Sequence, residues 1–179
     1  NKAIELDEKF AVAYALRGQH LYWELSNKPA AEKDFEKALT LNTVATQTTF
    51  ALQGSARVLR QERKYETMIA RYLRILSEFQ DLPVDTIANS NYWVGWGYYK
   101  LGKYSEAPTY LRKARELVPE FYNQPVGDLL ILSSFNSRNK MALHTALQEV
   151  YARTPTKKAP HNILSWLGVQ MFHDGQIEE

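Results

Sequence analysis

A tight turn at residues 101–104 constrains the fold of this chain more than any other feature of the sequence. The turn reads Leu-Gly-Lys-Tyr, and Gly102 can adopt the left-handed conformation that ends a helix, because it has no Cβ. The residues before the turn are rich in aromatic side chains and include the small residue Gly95. After it, Ser105 is predicted to cap a second helix, and Pro108 falls in the first turn of that helix, where a missing N–H matters little. The stretch therefore predicts two antiparallel helices.

The second helix of this pair carries a single apolar stripe. Ala107, Leu111, Ala114 and Leu117 recur at spacings of four, three and three residues, which places them on one helical face. Pro119 is predicted to end the helix because it cannot continue the hydrogen-bond ladder.

Taken together, residues 89–119 resemble a tetratricopeptide repeat. Such a repeat has a small residue at the helix crossing, a turn, spaced alanine and aromatic positions and a closing proline. Leu111 departs mildly, since the family usually has an aromatic residue there. The resemblance implies an all-α fold, a right-handed α-solenoid of antiparallel helix pairs. The positions that match are Gly95, Tyr98, Gly102, Tyr104, Ala107, Ala114 and Pro119.

The pattern returns along the chain at about the spacing expected for such repeats. Gly18 and Gly54 are 36 residues apart, Gly54 and Gly95 are 41 apart, and Gly95 and Gly168 are 73 apart, about two units. We expect the sequence to be a fragment of a longer array whose exposed repeat faces can associate with other copies, since neither end has the polar face of a terminal repeat. One repeat domain over 1–179 is predicted, with units at about 1–9 (partial), 10–43, 46–80, 89–119, 122–155 and 161–179 (partial).

Prolines punctuate the predicted helices. All seven fall in predicted turns or at predicted helix starts, and none falls in a predicted helix interior. Pro125 is expected to open the first helix of the fourth pair. Residues 80–87, which include Pro83, are expected to form a loop.

The second helix of the 46–80 unit is the most divergent. It has Met68, Tyr72 and Ile75 where the family more often has alanine, an aromatic residue and alanine. The larger side chains are expected to push neighbouring helices apart or to change the local twist.

Composition excludes several classes of function. The chain has no cysteine, which excludes disulfides, thiol catalysis and thiolate metal sites and is compatible with a cytoplasmic or a periplasmic location. No apolar run reaches the length of about 18 residues that a transmembrane helix needs. No phosphate-binding glycine loop or nucleophile motif occurs, so no catalytic, cofactor or metal site is predicted. The four histidines are scattered, at His20, His144, His161 and His173.

The resemblance implies that the first helix of each pair lines a concave groove, which points to a non-catalytic scaffold or adaptor that binds a peptide or protein segment. Exposed tryptophan and tyrosine are typical of binding hot spots, although the same rings could instead pack between repeats. A carbohydrate-binding or assembly module of a bacterial envelope or export system is an alternative, as is regulation of an attached enzyme domain. The groove candidates are Gln19, Tyr22, Trp23, Ser55, Tyr92, Trp93, Trp96, Tyr99 and Lys100, together with Ala51, Val58 and Leu59.

The first specific ligand is an acidic peptide. Some members of the family bind acidic C-terminal peptides of heat-shock chaperones through lysine and asparagine on first helices. The corresponding positions here lack those cations, so this activity is not expected; they hold Ala15, Gln19, Leu52, Asn89 and Trp93.

A basic cluster also stands out, offset locally only by Glu62 and Glu66. It could be a phosphate- or acid-binding patch, or an ordinary solvated face of two helices. With a net charge of only +2, nucleic acid is a remote option. The cluster consists of Arg57, Arg60, Arg63, Lys64, Arg71 and Arg74.

Overall fold

The computed structural model describes residues 2–41, 45–79 and 81–153, and these ranges form nine helices with no strand. Consecutive helices joined by short turns pack against each other as pairs, α2 with α3, α4 with α5, α6 with α7 and α8 with α9. The predicted all-α solenoid of helix pairs is therefore confirmed, while the expected unit at 161–179 lies outside the described residues. The helices are α1 (Lys2–Leu6), α2 (Ala11–Trp23), α3 (Lys28–Thr40), α4 (Ala45–Gln61), α5 (Tyr65–Glu78), α6 (Val84–Lys100), α7 (Ala107–Leu117), α8 (Pro119–Asn136) and α9 (Lys140–Arg153).

Each of the four turns within a pair contains one residue in the left-handed conformation. Gly102 has a φ of 73°, as its sequence context predicts, but the other three turns use Ser26, Arg63 and Arg138 with φ between 50° and 59°. In the turn after α6, the N–H of Lys103 donates to the carbonyl of Tyr98 at 2.9 Å, the bond of a Schellman motif. Backbone hydrogen bonds across the other three turns hold their non-glycine residues in a conformation that such residues rarely adopt.

Two expected helix starts are wrong. The first helix of the third pair begins at Val84, so it takes up half of the expected loop at 80–87; the carbonyl of Pro83 accepts from the N–H of Thr86 at 2.9 Å and closes the first turn early. Ser105 does not cap α7, because its Oγ donates to Oε2 of Glu106 at 2.6 Å and leaves the helical N–H groups alone.

Pro119 begins α8 rather than only ending α7, and Pro125 lies inside α8 rather than opening it. The expectation that no proline lies inside a helix is therefore wrong. Proline at 125 has no N–H to donate to the carbonyl of Phe121, which removes one backbone bond. Val126 and Leu130 are fully buried just beyond it, and this packing favours a continuous helix.

The helix pairs stack differently at successive junctions. α4 packs against both α2 and α3, whereas α6 packs against α5 and hardly touches α4. Met68 on α5 is fully buried, and a Cβ placed on Gly97 of α6 would lie 2.7 Å from Cγ1 of Ile69, so these two helices are in close contact. Tyr72 of α5 lines a cavity together with residues of α4 and α6, and the effect of these large side chains on helix spacing stays a prediction.

The outer face of α1 and α2 leaves an apolar surface exposed. Exposed side chains there include Leu16 and Leu25, around a cavity of about 580 Å³. Self-association through such a face stays a prediction. If copies associate here, a Leu16→Glu/Leu25→Glu variant should lower the average mass measured by sedimentation equilibrium at high concentration, because a buried carboxylate opposes the contact. Phe135→Glu, on a different exposed site, is the control, and a wild-type chain that stays monomeric at every concentration would contradict the prediction.

Candidate functional site

The space between α4 and α6, here called the α4–α6 cleft, holds two adjoining cavities. The tryptophan cavity has a volume of about 470 Å³ and the phenylalanine cavity about 410 Å³, sizes typical of ligand sites. Gln53, Arg57 and Asn89 line both cavities and so form the middle of the cleft. The tryptophan cavity is also lined by Trp23, Arg60, Tyr72 and Trp93, and the phenylalanine cavity by Asp85, Thr86, Val118, Phe121 and Tyr122.

Helical spacing explains why these side chains meet. Gln53, Arg57 and Arg60 follow one another by four and three residues and so lie on one face of α4. Asn89 and Trp93 are four residues apart on α6 and share a face in the same way. Residues on other faces, such as Leu52 of α4 and Val94 of α6, are packed into the core.

A cation–π contact joins the two walls of the cleft. The guanidinium carbon of Arg60 on α4 lies 4.1 Å from the ring centroid of Trp93 on α6. Such contacts contribute about 0.5–1 kcal/mol where the groups are partly exposed. Trp93 is held in turn by edge-to-face packing against Tyr92 and Trp96, at centroid distances of 5.0 and 5.6 Å. The position of the Trp93 ring is therefore set both by Arg60 and by neighbouring rings on its own helix.

Five of the six cations of the basic cluster fall into two groups in the structure. Three of its cations form ion pairs, Lys64 with Glu62 at 3.0 Å, Arg71 with Glu36 at 2.6 Å and Arg74 with Glu78 at 2.8 Å. Arg57 and Arg60 form no ion pair within the described ranges and line the cleft. The positive charge that the local carboxylates leave uncompensated is thus concentrated on the α4 wall.

The floor of the tryptophan cavity contributes a buried phenol. Tyr72 is 5% exposed and makes no hydrogen bond with any other residue that the structure describes. Burial raises the pKa of Tyr72 to about 12, more than the nearby Arg60 and Arg57 lower it, so the hydroxyl remains protonated at neutral pH. It can therefore donate a hydrogen bond to a group that enters the cavity.

Two of the twelve predicted groove residues, Trp23 and Trp93, line the cleft. Tyr22 lines a smaller cavity of about 300 Å³ between the first two helix pairs, with its ring edge-to-face on Trp23 at 4.8 Å. These two neighbouring rings thus serve different cavities.

The expectation that Ser55 faces the groove is wrong. Ser55 is 4% exposed at the base of the smaller cavity, and its Oγ donates to the carbonyl of Leu52 at 2.9 Å. Gln19 is half-buried between α2 and α4, where its Nε2 lies 2.9 Å from the position of a Cβ on Gly54. α4 packs against both α2 and α3, so more of its surface is buried than the position of Gly54 alone indicates. Ala51 and Val58 are buried for the same reason.

The other groove candidates on α6 pack largely against other side chains. This arrangement resembles the alternative in which such rings pack between repeats. Lys100 is exposed, with Nζ 5.2 Å from the ring centroid of Trp96. The ring pairs, with centroid distances, are Tyr92 with Tyr122 (5.3 Å), Trp96 with Tyr65 (5.6 Å) and Tyr99 with Tyr104 (5.8 Å).

Sequence reasoning did not select Gln53, Tyr72, Phe121 or Tyr122 for the site. The four- and three-residue spacing of Gln53, Arg57 and Arg60 was a usable signal for α4. No local signal could have brought Tyr72, on a second helix, to the cleft, because its position depends on how α5 packs against α6.

Neither a metal-binding cluster nor a membrane-spanning helix occurs among the residues that the structure describes. Among them, no group of three or more histidine, aspartate or glutamate side chains is placed to hold a metal ion. No helix in the same ranges combines the length and apolar character required to cross a membrane.

One comparison with known proteins identifies a family. Residues 11–43, which contain α2 and α3, match the family model described as Tetratricopeptide repeat. The helix crossing in this pair is tight, since a Cβ on Gly18 would lie 3.2 Å from Cε1 of Phe35. No curated protein matches the chain in sequence.

Proposed function

Because residues 11–43 match the tetratricopeptide repeat family, we propose that this chain is a non-catalytic scaffold or adaptor that binds a segment of a protein partner in the α4–α6 cleft. Repeats of this family generally mediate protein–protein interaction and are typically not enzymes. Stacked repeats create extended surfaces suited to that task. The observation that supports the cleft is its two adjoining cavities, which receive side chains from all four first helices, α2, α4, α6 and α8.

The lining suits a peptide. Aromatic side chains stand at both ends, with Trp23 at one and Phe121, which is 71% exposed, at the other. Such rings supply large contact areas with little loss of conformational entropy. Between them, Gln53 and Asn89 offer amide groups that can bond to a peptide backbone. An extended segment could thus use the rings for side-chain contacts and the amides for its main chain.

The carbohydrate-binding alternative is less well supported by the ring geometry. Stacking on a sugar needs a free aromatic face, but the Trp93 ring is approached by Arg60 and the Trp96 ring by Lys100. Strong quenching of tryptophan fluorescence by cellohexaose or chitohexaose, with no response to any peptide, would favour the alternative over our proposal.

Site-specific photocrosslinking in cells that make the full-length chain tests the proposal. With benzoylphenylalanine at position 23 or 121, we expect both variants to capture the same partner, because both positions border the cleft. The control places the same group at Lys37, an exposed position on α3. Capture of the same protein with equal yield from position 37, or no shared partner from the two cleft positions, would contradict the proposal.

A further inference from the structure

We propose that the tryptophan cavity recognises a carboxylate, the side chain of an aspartate or glutamate within an extended segment of the partner, through the guanidinium of Arg57. This inference rests on the proposed function and names the chemistry of the segment that the cleft accepts.

Charge is the first argument. The side chains that line the tryptophan cavity include two cations and no carboxylate. The one acid of the cleft lining, Asp85, belongs to the phenylalanine cavity at the first turn of α6. Within the described residues, neither Arg57 nor Arg60 has an ion-pair partner, whereas Lys64, Arg71 and Arg74 do. An anion entering the tryptophan cavity would therefore meet uncompensated positive charge.

Hydrogen-bond donors are the second argument. The phenol of Tyr72, a residue that is 5% exposed, lines this cavity, and the amide of Gln53 borders both cavities. Neither group makes a hydrogen bond to another described residue. A carboxylate accepts up to about four hydrogen bonds, so it can satisfy a guanidinium, a phenol and an amide together. A neutral apolar side chain has no acceptor for these donors, so it gains none of these hydrogen bonds.

Position selects Arg57 over Arg60. The guanidinium of Arg60 is placed against the Trp93 ring, so its approach to a ligand is limited to its edge. Arg57 is exposed and lines both cavities, so a chain crossing the cleft passes it. Arg57 is also not one of the positions at which the family's chaperone-binding members carry their lysine and asparagine residues.

A peptide fits these charges better than a nucleic acid does. A polynucleotide needs several cations spaced along its backbone, but three of the four neighbouring cations of the basic cluster are already paired with glutamates. Only two free guanidiniums line the cleft, and Asp85 borders its other half. This arrangement suits one or two carboxylates among neutral residues.

Panning a phage-displayed library of random dodecapeptides on the purified chain tests the inference. We expect the selected peptides to be enriched in aspartate or glutamate. Arg57→Gln should weaken binding of a selected peptide by about tenfold or more, because a charge-assisted bond is lost. The control, Arg63→Gln, removes an exposed cation in the α4–α5 turn and should leave the affinity unchanged. Changing the acidic residue of the peptide to glutamine or asparagine should weaken its binding to the wild type by the same factor as Arg57→Gln does. The same peptide change should not weaken binding to the Arg57→Gln variant any further.

The outcomes separate this inference from the proposed function. Peptides whose binding is lost with Trp93→Ala but which carry no acidic residue and ignore Arg57→Gln would overturn the inference and leave the peptide-binding function standing. Peptides that are unaffected by both Trp93→Ala and Arg57→Gln would overturn both. Arg57-dependent binding of oligo(dT) that is tighter than that of every selected peptide would also overturn the inference, in favour of a nucleic acid. Circular dichroism of each variant checks that the helices are intact.

Discussion

Replacing Gly95 with alanine is expected to lower the free energy of unfolding by about 2 kcal/mol, although alanine favours a helix over glycine by about 1 kcal/mol. A Cβ at this position would lie 2.7 Å from Cγ of Leu111 and 3.0 Å from the backbone oxygen of Ala107. The backbone atom cannot move away without shifting α7 relative to α6. Leucine at the same position should be worse, at about 3 kcal/mol or more, because further atoms enter the crossing.

Gly54→Ala is the matched control for Gly95→Ala, since it makes the same change at the same type of helix position. The nearest atom to a Cβ there is Nε2 of Gln19 at 2.9 Å, the end of a flexible side chain that can rotate away. We expect this variant to be neutral or more stable by up to about 1 kcal/mol. Urea unfolding followed by circular dichroism measures both, and hydrogen exchange should show the Gly95→Ala loss first in α6 and α7. Equal effects of the two variants would contradict the explanation.

Replacing Glu149 with leucine is expected to destabilise the chain by about 3 kcal/mol, because it leaves a buried cation without its partner. Arg115 on α7 is 2% exposed, and its Nη2 donates to Oε2 of Glu149 on α9 at 2.5 Å. Nη2 of Arg112 lies 3.0 Å from the other oxygen of the same carboxylate. Nε and Nη1 of Arg115 are buried without another partner in the described residues, so Glu149 is the group that compensates this charge.

Two further variants separate a buried ion pair from an exposed one. Glu78→Gln breaks an exposed pair with Arg74 one helical turn away and should change stability by only about 0.3–0.5 kcal/mol. The double variant Arg115→Met/Glu149→Leu should regain most of the stability lost by Glu149→Leu, because it removes the unpaired charge. Thermal unfolding measures all three, and a double variant no more stable than the single one would contradict the charge argument.

The same pair predicts a pH dependence. Burial acts to raise the pKa of Glu149, but the hydrogen bonds from Arg115 and Arg112 outweigh it, so the pKa is lowered in the folded chain. A lowered carboxyl pKa contributes stability that is present above the unfolded value of about 4.3 and is lost as the pH falls through the folded value. Wild type should therefore lose more stability than Arg115→Met/Glu149→Leu when the pH is lowered below about 5.

Much of the local architecture is readable from particular residues. The stripe of Ala107, Leu111 and Ala114 and the left-handed Gly102 predict a helix, its buried face and its preceding turn, and the structure agrees at each. Pro125 shows the limit of such reasoning. Proline usually marks a boundary, but the burial of Val126 and Leu130 outweighs the loss of one backbone bond, and α8 continues through it.

The candidate site is predictable only in part. Trp23 and Trp93 are found from their place on first helices, and Arg57 and Arg60 from the cluster of positive charge. The prediction that Ser55 faces the groove is wrong because the sequence does not show how many helices α4 contacts. The left-handed conformation of Ser26, Arg63 and Arg138 likewise has no signal in the sequence, because none of these residues is glycine.

By itself, the sequence determined that this protein folds into successive helix pairs and where most of the turns lie, because those properties depend on residues fewer than about eight positions apart on one helix or turn. The tertiary structure alone decided where the α4–α6 cleft, our proposed binding site, lies. α5 packs closely on α6 at Gly97, and Tyr72 of α5 lines a cavity together with residues of α4 and α6. That arrangement depends on the sizes of side chains on different helices, which no periodic pattern along the chain records.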